Sequence, residues 1–252
     1  MRNEGAVFLL AVQFLTRLPI GSAQLYTPER MAASVRYYPL VGALIGAFSA
    51  LVFYLATFVF PAPVAILFAI AAGLLITGAF HEDGLADTFD GIGGGLTRER
   101  ALEIMKDSRL GTYGTLALVI GLALKFGALM VLPITVVPIA LIAGHSLSRL
   151  SSILVIATSS YVRDEGTGKP VAGGISATGL IIGGLTGLAV VAFWWASYPP
   201  VALLWAGGGL LVGHGLMRLF FERKLGGYTG DTLGAVQQVS EFGFYLGLVA
   251  WL

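Results

Sequence analysis

The stretch "FHEDGLADTFDGIGGG", Phe80 to Gly95, places four carboxylates within nine positions: Glu82, Asp83, Asp87 and Asp90. On a helix turning about 100° per residue, Asp87 lies roughly 40° and Asp90 roughly 20° from Asp83 around the axis. Those three share one face, and Glu82 points elsewhere. Like charges one turn apart repel each other, by a few tenths of a kcal/mol in an isolated helix. A cation among them removes the conflict. Mg²⁺ takes hard oxygen ligands, keeps several waters, and is typically shared between one or two carboxylates and substrate phosphates. Gly84 and Gly91 leave the backbone room for a close approach or a break. A water-facing acidic loop is the alternative reading, and a pair of metals is a third.

Two more polar stretches carry candidate chemistry. "TRERALEIMKDSRLGTYG", Thr97 to Gly114, reads as a short helix capped by Thr97, with Leu102, Ile104 and Met105 on its apolar face. Arg98, Arg100, Lys106 and Arg109 supply cations there, and guanidinium groups match phosphate geometry bidentately. A salt-bridged surface helix explains the same residues. "RKLGGYTGDTLGA", Arg223 to Ala235, has glycines at 226, 227 and 230 whose backbone N–H groups could face an anion, and Asp231 adds a carboxylate. A plain glycine turn with Asp231 as helix N-cap serves equally well.

The elements that must position these residues are membrane helices. The chain has 252 residues, 56% hydrophobic and 12% charged, against roughly 25% charged in soluble domains. Its mean hydropathy is +0.85. About seven runs are long enough to span a bilayer, near 38–60, 63–80, 112–131, 135–159, 175–197, 199–217 and 233–252. GxxxG spacings at Gly42/Gly46, Gly183/Gly187 and Gly209/Gly213 let helices approach closely in lipid. The connections alternate between short uncharged turns and the polar segments 1–37, 81–111, 160–174 and 218–232. Those four segments hold thirteen of the fifteen Lys and Arg; Lys125 and Arg149 lie inside spans. The positive-inside rule makes the polar end cytoplasmic, with the N-terminus inside and the C-terminus outside.

Near the start, Arg2, Glu4, Gln13, Arg17 and Pro19 interrupt the apolar residues too often for a span or a signal sequence, so an interfacial amphipathic helix is expected. Lys125, His145, Arg149, His214 and Glu241 fall at membrane depth, where charges usually face a bundle interior. An ion pair of Glu241 with Arg149 is one expectation and substrate contact another. The fold class is therefore all-α: a single polytopic membrane bundle over 1–252, with an N-terminal interfacial helix and short cytoplasmic helices. Zero cysteines exclude disulfides and thiolate chemistry. A net charge of +1 gives no reason to expect a nucleic-acid partner.

"HEDGLADTFDG" with "ALEIMKDSRLGTYG" resembles the signature of the cobalamin synthase family, the adenosylcobinamide-GDP ribazoletransferases. The resemblance extends to "FLTRLP", "RYYPLVGALIG" and "LGGYTGDTLGAVQQVSE", and is weakest over 160–222, where Arg163 and Gly168 are among the familiar residues. It implies an enzyme of the bacterial or archaeal plasma membrane that joins adenosylcobinamide-GDP to α-ribazole or its 5′-phosphate and releases GMP, with Mg²⁺ as cofactor. By this likeness Asp83, Asp87, Asp90 and Asp231 are metal ligands, and Asp87 or Asp90 accepts the hydroxyl proton. Arg98, Lys106, Arg109, Arg149 and Gly230 are substrate contacts. Membrane lipid surrounds the chain, and a homo-oligomer is left open. Two rival classes remain. A CDP-alcohol phosphotransferase also uses aspartates at a membrane face, but its motif requires an Ala-Arg after Asp-Gly that this chain lacks. A secondary transporter would use Glu241, Lys125 and Arg149 as its coupled site.

Overall fold

The computed structural model describes residues 4–21, 24–164, 166 and 168–252. Arg2, one of the polar-end cations, lies outside them. Eleven α-helices are present among the described residues: α1 Glu4–Leu15, α2 Pro28–Ser34, α3 Tyr38–Ala56, α4 Ala62–Thr77, α5 Phe80–Gly94, α6 Arg98–Ile104, α7 Thr112–Val131, α8 Val137–Thr158, α9 Ala177–Ser197, α10 Pro200–Leu225 and α11 Gly230–Trp251. There is no sheet among them; the one β-type pairing is an isolated parallel bridge between Tyr161 and Tyr228.

Among the described residues, five helical runs are long and apolar enough to cross a membrane: Pro28–Ala56 and α7 to α10. The bent pair α4 and α5 would make a sixth. The seventh expected span, 233–252, is helical as α11 but does not qualify, because Gln237, Gln238, Ser240 and Glu241 interrupt its apolar residues. All four are buried. α11 instead forms the axis of the bundle and packs on α5, α7, α8 and α10. At 12 residues α1 reaches only about 18 Å, too short to cross. Its Leu10 and Leu15 are buried in the core, and Glu4 meets Arg36 at 3.3 Å and the Tyr37 hydroxyl at 2.7 Å.

Two of the glycine pairs form close helix contacts. A Cβ on Gly42 or Gly46 would strike the α8 backbone at His145 and Leu141, and one on Gly209 or Gly213 would strike α11 at Gly243 and Val239. Gly183 and Gly187 meet the side chains of Ile153, Leu150, Leu147 and Pro39 and the Arg36 carbonyl, with no helix backbone in close approach.

The expectation that span two continues as one helix past His81 is corrected. Gly78 and Ala79 both adopt left-handed backbone (φ 65° and 55°), which ends α4, and α5 restarts at 86° to it. α5 therefore lies across the starts of α7 and α11 instead of extending a span. The polar connections do meet at this end: Arg98 Nε donates to the Leu225 carbonyl at 2.7 Å, Lys224 Nζ to the Leu96 carbonyl at 2.8 Å, and Arg163 reaches Asp231.

The glycine contacts generate a test. Gly213→Val should destabilise the protein by about 1–3 kcal/mol or more through overpacking against α11. Gly207→Ala, at a position facing open space, should leave the thermal midpoint in detergent unchanged or slightly raised. Equal midpoints for the two variants would refute close α10–α11 packing.

Candidate active site

The spacing of the acidic residues survives in the structure because Phe80–Gly94 is a continuous helix. Asp83 is exposed, Asp87 half-buried and Asp90 buried. Gly84 sets their surroundings: with no side chain, it lets α5 rest on the Asp231 backbone, where a Cβ would come within 2.6 Å of the Asp231 carbonyl oxygen. The start of α11 is fixed by a capping box between Thr229 and Thr232, with amide-to-hydroxyl distances of 2.8 and 3.2 Å. The alternative reading of Asp231 as the N-cap of α11 is thus set aside. Thr229 is the cap, and the Asp231 side chain pairs with Arg163 near Asp87.

These groups lie at the polar end, outside the membrane-spanning helices. Burial, then the charges of Asp231 and Asp83, push the Asp87 carboxyl up to about 7, against the pull of Arg163. Burial also raises Asp231, with Arg163 opposing. Arg163 Nη1 sits 2.7 Å from Asp231 Oδ2. The contact is a close, largely buried ion pair. Asp90 has different partners. Its Oδ2 accepts from the Gly111 amide at 2.7 Å and its Oδ1 from the Gly114 amide at 2.8 Å. It supplies the first turn of α7 with the anionic cap that such a turn needs.

Among the described residues, no three His, Asp or Glu side chains form a preformed metal cage. What converges is a group of carboxylates, Asp83, Asp87 and Asp231, close enough to disfavour one another's charge. The expected phosphate contacts are dispersed. Arg98 Nε is committed to the Leu225 carbonyl. Arg109 forms a fork with Asp107 at 2.6 to 3.1 Å and is exposed, as is Lys106. Thr97 does cap α6, accepting from the Arg100 amide at 3.2 Å.

Arg149 and Gly230, far apart in sequence, line one small cavity of about 30 Å³ with Tyr38 and His81. The Arg149 Nε and the Tyr38 hydroxyl have no hydrogen-bond partner among the described residues. The volume suits one water. Arg163 is the residue that the motif reading left unassigned. Nothing local marks it, because it approaches Asp231 only when the connection 160–174 folds over the start of α11. That connection is pinned by Val162 N to Tyr228 O (3.0 Å) and Tyr228 N to Ser160 O (2.8 Å).

Below this end lies a second, fully enclosed polar group. Glu241 (0% exposed) pairs with Lys125 (3%) at 2.6 Å and accepts from Gln237 at 2.7 Å and Tyr245 at 2.9 Å. Lys125, Arg149 and Glu241 all face the interior, as expected of intramembrane charges. The specific pairing differs from expectation. Arg149 donates to the His145 carbonyl one turn back, at 2.9 Å, and Lys125 takes Glu241.

The fold and the site define a polytopic helical membrane protein with an anion-and-cation site at one end. The chain belongs to the cobalamin-5-phosphate synthase family, whose sequence model matches residues 7–249. It is similar to the adenosylcobinamide-GDP ribazoletransferase of Shewanella frigidimarina, at 46% identity over 97% of this chain and 94% of the relative. Its identity to the same-named protein of Leptothrix cholodnii is 44%, over 98% of this chain and 96% of the relative. For that of Vibrio cholerae it is 43%, over 100% and 96%. No solved structure matches the chain.

Removing one partner of a buried ion pair leaves an uncompensated charge, which typically costs about 3–5 kcal/mol. Lys125→Met should therefore lower the thermal midpoint sharply, and Lys125→Met with Glu241→Gln should recover most of the loss. A midpoint for Lys125→Met close to wild type would show that the pair is not a structural element.

Proposed function

We propose that this chain is an adenosylcobinamide-GDP ribazoletransferase: it joins adenosylcobinamide-GDP to α-ribazole, or to its 5′-phosphate, and releases GMP. The observation that carries this reading is the near full-length match to proteins of that name, together with a site of carboxylates and a buried guanidinium at one polar end. The rival readings fit less well. Of the charges that a transporter would need at mid-membrane, Lys125 and Glu241 are locked in a buried pair, and Arg149 is turned to the His145 carbonyl.

Mg²⁺ is the proposed cofactor. The donor set fits it: hard carboxylate oxygens from Asp83, Asp87 and Asp231, which lie close enough to disfavour one another's charge. The lack of a three-residue cage fits a cation whose remaining ligands are substrate phosphates and water. When bound, such an ion neutralises phosphate oxygens during attack on the diphosphate. Asp90 stays with Gly111 and Gly114, and its proposed part is to hold α7 against α5. Asp87, with no such amide partners, is assigned to accept the proton of the attacking ribose hydroxyl. α5, the start of α11 and the connection 160–174 hold the groups around it. In-line attack places the new bond on the phosphorus that bears cobinamide, and GMP leaves with the bridging oxygen.

Asp87→Asn keeps size but removes one charge. It should lower Mg²⁺-dependent GMP release by about 10²-fold or more while the protein still inserts and folds. Near-normal turnover by this variant, or full wild-type activity in excess EDTA, would sink the metal assignment.

The site is proposed to face the cytoplasm of a plasma-membrane protein, because the Lys and Arg residues crowd its end. Cysteine-free sequence makes this easy to examine. A thiol probe that cannot cross membranes should leave Leu96→Cys, at a 93% exposed position beside the site, unlabelled in intact cells. It should label Val59→Cys, in a short connection at the other end. The reverse pattern would invert the topology.

A further inference from the structure

Arg163 is 92% buried as a side chain, with 8% exposure, yet only part of its hydrogen-bonding capacity is used. Nη1 faces Asp231. Nε and Nη2, which together form the side edge of the guanidinium, have no hydrogen-bond partner among the described residues. A guanidinium is hard to deprotonate, and its planar edge matches two oxygens of a phosphate or carboxylate. Buried N–H groups without acceptors are rare in native structures and ask for an explanation. The candidate acceptors nearby are carboxylates: Asp231 has Nη1, and Asp87 interacts with Arg163 electrostatically without a hydrogen bond to it.

We propose that Arg163 is a substrate-binding residue, whose Nε–Nη2 edge donates to two non-bridging oxygens of the substrate's diphosphate while Nη1 stays on Asp231. This rests on the ribazoletransferase reading and deepens it. The position is consistent with the role. The connection that carries Arg163 is tied to the residues before α11 by the Tyr161–Tyr228 bridge, and Gly168 sits against Gly230. The guanidinium is therefore presented by fixed backbone beside the same carboxylates proposed to share a cation with that diphosphate. It takes the part that the family likeness gives to Arg98 and Arg109, of which Arg98 donates its Nε to the Leu225 carbonyl and Arg109 forks onto Asp107.

The test is equilibrium binding of adenosylcobinamide-GDP to the purified full-length protein in detergent with Mg²⁺ and without α-ribazole, so that no turnover occurs. Arg163→Lys keeps the charge opposite Asp231 but removes the fork. Its affinity should fall about tenfold or more, with the thermal midpoint near that of wild type. Wild-type affinity in Arg163→Lys overturns the proposal. If Arg163→Lys does not purify folded, Arg163→Gln is measured in its place, with Mg²⁺ binding followed in parallel. Weaker adenosylcobinamide-GDP binding with unchanged Mg²⁺ binding supports direct phosphate contact. Wild-type affinity for adenosylcobinamide-GDP, or a loss that only follows a loss of Mg²⁺ binding, means that Arg163 acts only as counter-ion to Asp231 and overturns the proposal. Absence of binding by the wild-type protein would instead overturn the ribazoletransferase reading itself.

Discussion

Glu241 has no lipid-facing solution. It sits near the middle of a 22-residue helix with Gln237, Gln238 and Ser240 for neighbours, and hydrocarbon offers such groups no partners. The helix must be enclosed by others that bring donors to it. α7 brings Lys125 as a donor, α8 brings the Ser148 hydroxyl to accept from Gln237 Nε2 at 2.8 Å, and Tyr245 closes the group from one turn further along α11. Enclosure by α5, α7, α8 and α10 fixes where α11 begins, and so where Asp231 is found. The polar end inherits its geometry from charges buried well below it.

The second constraint is the break at Gly78–Ala79. Had α4 run on, Asp83, Asp87 and Asp90 would stack along the helix toward solvent, with no neighbour opposite. The 86° turn lays α5 over the starts of α7 and α11. One side of α5 then buries Leu85 and packs Phe89 over the apolar groove between α7, α10 and α11. The other side presents carboxylates to the connection 160–174. A helix that is half-apolar and half-acidic is stable in that position and in few others.

Much of this was legible in sequence, for physical reasons that differ by residue. Apolar run length gives α7 to α10 because hydrocarbon thickness is a fixed ruler. The GxxxG pairs on α3 and α10 give close contacts because small residues are what backbone approach requires. The shared face of the three aspartates follows from helix period alone. Other features were hidden. Left-handed backbone at Ala79 has no sequence signature, since alanine favours the helix it interrupts here. Thr229 displaced Asp231 as N-cap because the Thr229–Thr232 box satisfies two amides at once. The pairing of Lys125 with Glu241, and of Arg163 with Asp231, joins residues 116 and 68 positions apart. Such pairings depend on which helices become neighbours, and no local pattern contains that.

The charge balance of the polar end is acidic where its side chains converge. Asp83, Asp87 and Asp231 face one buried guanidinium, so the carboxylates outnumber the cation among the side chains that converge there. A diphosphate brought to this place would be repelled by the carboxylates at close range, where the interaction is strongest and least screened. Arg163 alone cannot reverse that, because Asp231 already draws on it. A divalent ion can, since it accepts oxygens from both sides at once. On the proposed reading, the excess of carboxylates would give the site its affinity for the ion, and the ion its affinity for the diphosphate. Burial raises Asp87 first, and the charges of Asp231 and Asp83 add to it; an ion held there would relieve the second of these.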